Sequence, residues 1–563
     1  MAKSIIKAAR GIEKADIVLK NGKILNVFTE EFLIGDVAVV GTKIAGIGEY
    51  SGNVEIDCTG KYIVPGFIDA HVHIESSMVT PLEYTKYIVK KGTTSIVADP
   101  HEIVNVCGAR GMDYILDASG NVPGNVFVMV PSSVPATDLE TNGAGKFLAE
   151  DIQSYLKHPR VKGLGEMMRF VDVLNEHEET LEKVNRFSDV IIDGHAPGIS
   201  GKDVQAYRAA GIVDDHECAT AEEGIEKLRA GYSILIREGS GAKNLEQLIR
   251  GFLEAGVPLD RCMFCSDDKH LEDIENEGHM DACVRKAMQL GVPAEKAYKM
   301  ASYNAAQFYN MHGIGAVGAG YLADLVILDD AQNVKINKVM KSGKIIDDKY
   351  LEAFQYDLKD PALLKTVVIN EVKKSDLRCE RKTVNDVLEL VPNQLLTLHK
   401  VETIPGMEQE FIPNHEYAKL VVAERHGKNG KIGVCPMKGY GITNGAVATT
   451  VSHDSHNMSA AGDNDEDLVC AMNKLREIQG GYVIASGGKI VEVLPLQIAG
   501  LISSEKASEV QKQTGNMVHY ARRMGVCEGV DPFTTLSFMA LTVIPEVRLT
   551  EKGMFDVTEM KFI

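Results

Sequence analysis

The chain has 563 residues, 45% hydrophobic and 25% charged, with a formal net charge of −19 and ten scattered cysteines. That length allows two or three domains with sizeable cores, in the balance of an ordinary globular protein. The acidic charge without a basic stripe excludes a nucleic-acid surface, and the absence of an apolar run of about 18 residues excludes a membrane-spanning helix.

Met1-Ala2-Lys3-Ser4 is followed by no signal-like apolar core, so a cytoplasmic location with reduced thiols is expected. Residues 15–57 alternate and turn like a small β-structure, in which Asn21-Gly22 is a hairpin signal. This stretch cannot build a core alone. Its expected partner lies at residues 323–346, so that 1–62 and 313–352 form one discontinuous β-domain.

Between them the pattern becomes strand, polar tip, helix, repeated. Strands are expected at 63–71, 94–99, 125–131, 161–166, 190–195, 212–216, 232–237 and 262–267, with helices such as 80–91, 172–186, 202–210 and 221–230. Eight such units over residues 63–312 predict a (β/α)8 barrel, whose function gathers at the C-terminal strand ends. The fold class expected is therefore α/β, a (β/α)8 barrel with a small discontinuous β-domain and an additional C-terminal α/β domain at 353–563.

Read in turn, the tips carry His71 and His73; Asp99, His101 and Glu102; Ser132 and Ser133; Glu166; His195; His216 and Glu217; Arg237 and Glu238; Asp267 and Asp268. Residues two apart on a strand face the same way, so His71 and His73 point together. Five of the 16 histidines fall at these tips, which argues for a shared ligand set rather than five separate polar strand ends. Glu217 and Glu238 read as salt bridges at the rim. Cys262 and Cys265 have Cys-x-x-Cys spacing but no second pair, and read as strand packing.

In the C-terminal part, β-like runs at 365–370, 417–423, 432–434, 446–451 and 481–485 accompany helices at 465–478 and 505–524. No Gly-x-Gly-x-x-Gly or Walker loop supports phosphate binding. Ser452-His453-Asp454-Ser455-His456-Asn457 packs two histidines, an aspartate and an asparagine between a strand and the helix near Asp465. It is either a solvated turn or a lid over the barrel mouth that brings His453 and His456 to the substrate.

The run Pro65-Gly66-Phe67-Ile68-Asp69-Ala70-His71-Val72-His73, single histidines at the fifth and sixth strands, and an aspartate at the eighth resemble the amidohydrolase superfamily. Residues 301–306 and 318–328 resemble its return into the small β-domain. Ala98-Asp99-Pro100-His101-Glu102-Ile103, Gly165-Glu166-Met167-Met168, Gly194-His195-Ala196-Pro197-Gly198 and Cys265-Ser266-Asp267-Asp268 resemble, within it, the adenine deaminase family.

The resemblance implies two divalent metal ions, one on His71, His73 and Asp267, the other on His195 and His216, with Glu166 bridging. Many relatives bridge with a carboxylated lysine, but Lys162 lies toward the strand's other end. Imidazole and carboxylate ligands suit Mn2+, Fe2+ or Zn2+, and the resemblance favours manganese. It implies hydrolytic deamination of adenine in purine salvage, by a hydroxide that the metals make available near neutral pH. Asp267 would carry the proton from that hydroxide to the leaving amine, and Glu166 or Glu102 would protonate N1. His101, His453 and His456 are candidates for contacting the base. A small-molecule substrate, no nucleic-acid or membrane partner, and a homo-oligomer are expected. Two alternatives stand beside this reading, a cyclic-amide hydrolase on the same barrel and a catalytically silent scaffold. The cytidine-type zinc signature is set aside, because Cys262 lacks the preceding proline.

Overall fold

A computed structural model describes residues 2–380, 384–404 and 410–563. The eight parallel strands that position the site are β1 (Phe67–Val72), β2 (Thr93–Ala98), β3 (Asn125–Val130), β4 (Val161–Met167), β5 (Ile191–Gly194), β6 (Asp214–Asp215), β7 (Ser233–Arg237) and β8 (Cys262–Cys265). Strands β1 to β5 form one curled parallel sheet in chain order, and β6 to β8 form a second.

Hydrogen bonds join the two arcs at both seams. Asp267 N donates to His71 O at 2.9 Å beside β1, and Val213 N donates to Ile192 O at 3.1 Å beside β5. Alternation along the strands separates two apolar layers, and on β1 a register shift between Asp69 and Val72 moves Val72 to the other layer. Ile68, Ala70, Val97, Met129, Leu235, Met263 and Cys265 share one cluster with Tyr309 and Met311, while Phe67, Val72, Ile96, Ala98 and Cys262 face the surrounding helices. Both cysteines of the Cys-x-x-Cys run are therefore packing residues.

Segment 172–186 is two helices, Phe170–Leu174 and Glu178–Arg186, because Glu176 between them takes φ +60°. The other helices in this region fall within a residue or two of expectation, as at Pro81–Val89 and Ala221–Arg229.

A separate eight-stranded sheet joins the two ends of the parallel-strand segment. Leu325–Asp330 runs antiparallel to Tyr62–Pro65, pairing Leu325 with Pro65 and Leu328 with Tyr62, and Tyr62–Pro65 lies beside Ala15–Asn26. Asn21-Gly22 is not a hairpin turn. Ala15–Asn26 continues through it as a single strand with a bulge, and the chain reverses after Asn26 instead.

The C-terminal residues form a second sheet of eight strands, in the order Thr397–Glu402, Asn385–Leu390, Ile432–Lys438, Tyr417–Ala423, Met458–Gly462, Ala446–Thr449, Gly481–Ser486 and Lys489–Pro495. Helix Asp465–Ile478 starts at Asn464, whose side chain accepts from Asp467 N at 2.8 Å. It buries Leu468, Ala471, Met472 and Leu475 against Val421, Ala423, Ala448 and Val483 on one face of the sheet. The alternate residues Leu420, Val422, Val447 and Ile484 belong to the main core with the helices around the parallel strands. Residues 365–370 are not a strand. Side chains hold their backbone, with Val367 N donating to Gln479 Oε1 at 3.2 Å and Arg476 Nε to Ile369 O at 3.0 Å. Among the described residues no helix is long and apolar enough to cross a membrane.

Candidate active site

β1 ends at His71-Val72-His73, and the two-residue spacing brings the Nε2 atoms of the histidines to 3.2 Å from each other. His73 Nδ1 lies 2.8 Å from the carbonyl of Asp99, so it carries the proton of the neutral ring and leaves Nε2 as the atom that can bind a metal. Glu166, from the end of β4, divides its two oxygens between two histidine pairs. Oε1 lies 3.7 Å from His71 Nε2 and 3.3 Å from His73 Nε2, while Oε2 lies 2.6 Å from His195 Nδ1 and 3.3 Å from His216 Nε2. Asp267 follows β8 and sets Oδ1 3.0 Å from His73 Nε2 and 3.8 Å from His71 Nε2. It does so at φ +55°, a conformation that costs an L-residue roughly 1–2 kcal/mol and is typical of functional positions.

The backbone around these tips is pinned by buried polar groups. Asp99 Oδ2 accepts from Glu166 N at 2.9 Å, and Ser132 Oγ donates to Glu166 O at 2.6 Å. Asp215 Oδ2 accepts from Ala196 N and from Lys227 Nζ, each at 3.0 Å, tying the loop that carries His195 to the strand end that carries His216. Lys162 lies at the other end of β4, with Nζ 3.4 Å from Asn310 O.

Electrostatics follow from this geometry. Burial, with His216 and His73 adding to it, holds the His71 imidazole well below its ordinary range, hence neutral. Burial would raise Glu166, but hydrogen bonds from His101, His195, His216 and His73 hold it well below the usual carboxylate range. Burial likewise opposes charge on His216, yet Glu166 and Glu217 bring it up to about 9. The sets His71–His73–Glu166, His71–His216–Asp267 and Glu166–His195–His216 each gather three ligand atoms within 4.8 Å of one another. Imidazole and carboxylate donors without thiolate fit divalent ions of the Mn2+, Fe2+ and Zn2+ class.

The remaining candidates stand close by. His101 opens the helix after β2, with Nδ1 3.3 Å from Glu166 Oε1 and Nε2 3.4 Å from Glu102 Oε1. Glu102 is buried and accepts from His453 Nδ1 at 2.5 Å and from His456 Nε2. Segment Ser452–Asn457 is thus not a solvated turn, and strand Met458–Gly462 separates it from the helix at Asp465. It is docked on the segment after β3, with Ser455 Oγ donating to Glu140 and Asn457 Nδ2 to Thr141 O at 3.0 Å. Glu217 pairs with Arg237, and Glu238 with Lys286 at 2.7 Å, as rim salt bridges.

Two contributors have no role in the sequence reading. Arg237 reaches Asp267 Oδ2 at 2.5 Å, for which its place at a strand tip was the available signal. Glu140 lies in a stretch with no periodic pattern, and nothing local marks it as the partner of Ser455.

Residues 62–346 match the amidohydrolase family, and residues 394–561 match the adenine deaminase C-terminal domain. An adenine deaminase from Desulfitobacterium hafniense is 43% identical over 564 residues, covering 100% of this chain and 98% of that one. The chain belongs to the adenine deaminase family. A second member of the adenine deaminase family, from Clostridium acetobutylicum, is 44% identical over 567 residues, covering 99% of each chain. A solved structure described as an adenine deaminase aligns with 60% of this chain and 100% of its own, at a TM-score of 0.46 and 18% identity. Family membership joins the barrel tips and the C-terminal segment in one enzyme, which agrees with the contacts of Glu102 to His453 and His456 across the two.

Proposed function

We propose that this chain hydrolyses adenine to hypoxanthine and ammonia at the C-terminal mouth of a closed (β/α)8 barrel, residues 63–312. The small β-domain (1–62 and 313–352) and a C-terminal α/β domain (353–563) flank that barrel. The observation that carries the reading is the division of Glu166, with one oxygen toward His71 and His73 and the other toward His195 and His216.

His71, His73 and Asp267 would hold one divalent ion, His195 and His216 a second, and Glu166 would be shared; manganese is the proposed occupant, with iron or zinc as substitutes. When bound, the ions make water acidic enough to act as a nucleophile near neutral pH. Asp267 takes a proton from the attacking oxygen and passes it to the amino group leaving C6. Its second oxygen, held by Arg237, keeps the carboxylate oriented for both transfers. A proton on N1 makes C6 electrophilic. Of the two candidate carboxyls, Glu102 is kept ionised against burial by His453, His456 and His101, so a proton supplied from that side rides on an imidazole. The 452–457 segment covers this side of the mouth and excludes water from it.

The test is to offer manganese-grown protein adenine, adenosine, cytosine and a dihydropyrimidine, following ammonia and ring opening. Ammonia from adenine, faster than from adenosine, supports the reading. Ring opening of the dihydropyrimidine without ammonia from adenine would replace it with a cyclic-amide hydrolase.

A further inference from the structure

Glu102, His453 and His456 gather three potential ligand atoms within 4.8 Å, which would suit a third cation on distance alone. The hydrogen bonds exclude it. Ser452 N, which can only donate, lies 3.1 Å from His456 Nδ1, so Nδ1 is bare and the proton of the neutral ring sits on Nε2, the atom facing Glu102. A protonated Nε2 cannot bind a metal. Burial holds this ring neutral, drawing it down to about 4. His456 is therefore a donor to Glu102 with both nitrogens committed, and it holds that position at φ +52°.

His453 differs. Its Nδ1 lies 2.5 Å from Glu102 Oε1, and its Nε2 makes no hydrogen bond to any described residue. The ring is stacked on Phe538, with centroids 4.6 Å apart and planes at 21°, and its backbone N donates to Ser537 O at 2.7 Å. Its orientation is thus fixed at three points. It keeps 8% exposure, where Glu102 and His456 keep 2% and 1%. His101, the other imidazole beside Glu102, lies deeper, at 4% exposure, with Nε2 3.4 Å from Glu102 Oε1 and Nδ1 3.3 Å from Glu166 Oε1.

We infer that His453 is a catalytic residue contributed by the C-terminal segment, and that its Nε2 delivers the proton to N1 of the base. This rests on the deaminase reading above. Glu102 is then the anchor of a carboxylate–imidazole dyad rather than the acid itself, and His456 is a positioning residue that fixes Glu102. The dyad geometry favours the charged ring, since Glu102 outweighs the burial penalty and lifts His453 to about 9. The protons balance. The N–H bond of His453 breaks as the N1–H bond forms, and that hydrogen remains as the lactam N–H of hypoxanthine. The imidazole recovers a proton from the one released when the attacking water ionises, and the water's other proton leaves with ammonia.

Glutamine substitutions separate the two histidines, because an amide can donate to Glu102 but cannot carry a proton to the base. His456→Gln, which keeps a donor to Glu102 but loosens its hold, should lower kcat by about tenfold, well short of the loss at His453. His453→Gln should lower kcat roughly a hundredfold or more, the scale of general-acid residues, with KM little changed. Added imidazole should restore part of the rate to His453→Gly. Metal content and Tm are read on each sample. Near-normal kcat in His453→Gln overturns the assignment, as does loss of metal or fold in step with activity, or equal losses in both glutamine variants. Failure of the deaminase reading would look different, since the wild type itself would release no ammonia from adenine.

Discussion

The guanidinium of Arg237 stands 2.5 Å from Oδ2 of Asp267, on the carboxylate oxygen that does not face His73. The same guanidinium pairs with Glu217, which leaves Arg237 little freedom to turn. Partners of this kind orient a ligand, and removing one typically costs 10–100-fold in metal affinity or activity. Arg237→Met is expected to lower kcat by roughly that factor and to weaken retention of metal on dialysis. Unchanged kcat and metal content would show that Asp267 is held by its backbone alone.

Glu166→Gln keeps the shape of the shared side chain and removes its charge. Metal affinity and turnover should fall together, turnover by at least roughly a hundredfold. Metal analysis beside steady-state kinetics makes the comparison. Near-normal activity with full metal content would mean that another group joins the two histidine pairs.

Metal loading should depend on pH with a definite sign. In the metal-free site His216 titrates at about 9, and the carboxylates around them raise His73 and His195 against burial. At pH 7 the His216 ring carries a proton that binding must displace, so affinity rises as pH rises toward 9 and falls as it drops. Adding Mn2+ to metal-free protein in weak buffer at pH 7 should release protons, and fewer of them at pH 9. Affinity that is flat between pH 6 and 9 would contradict the assignment.

Lys227 is buried and pairs with Asp215 at 3.0 Å beneath the tips that carry His195 and His216. Lys227→Met leaves Asp215 as an unpaired buried charge, for an expected loss of about 3–5 kcal/mol. Arg250→Ala, which breaks an exposed pair with Glu246 on one helix, should cost less than about 1 kcal/mol. Thermal melts of the two variants give the contrast, and similar shifts would refute it.

The parallel strands were legible because runs such as Val126-Phe127-Val128-Met129-Val130 end in chemistry-bearing tips, and strand parity alone aligns His71 with His73. Asn21-Gly22 misled because positive-φ residues serve bulges as well as turns, and here the neighbouring pairings continue on both sides of it. Residues 365–370 have strand composition, but side chains rather than a neighbouring strand take up much of their backbone, which no local pattern reveals. The candidate cluster was legible where its side chains sit at strand ends. It was not where the partner is remote, since Glu102 meets His453 across 351 residues and Arg237 meets Asp267 from a different strand.

The most direct test of the central claim is the fate of oxygen and nitrogen when manganese-loaded protein converts adenine in water enriched in ¹⁸O. Hydrolytic deamination predicts hypoxanthine carrying one heavy oxygen at C6, one ammonia for each hypoxanthine, and no product from the Glu166→Gln variant on the same time scale. Adenine recovered unchanged from fully loaded wild-type protein, or a product without the heavy oxygen, would contradict it.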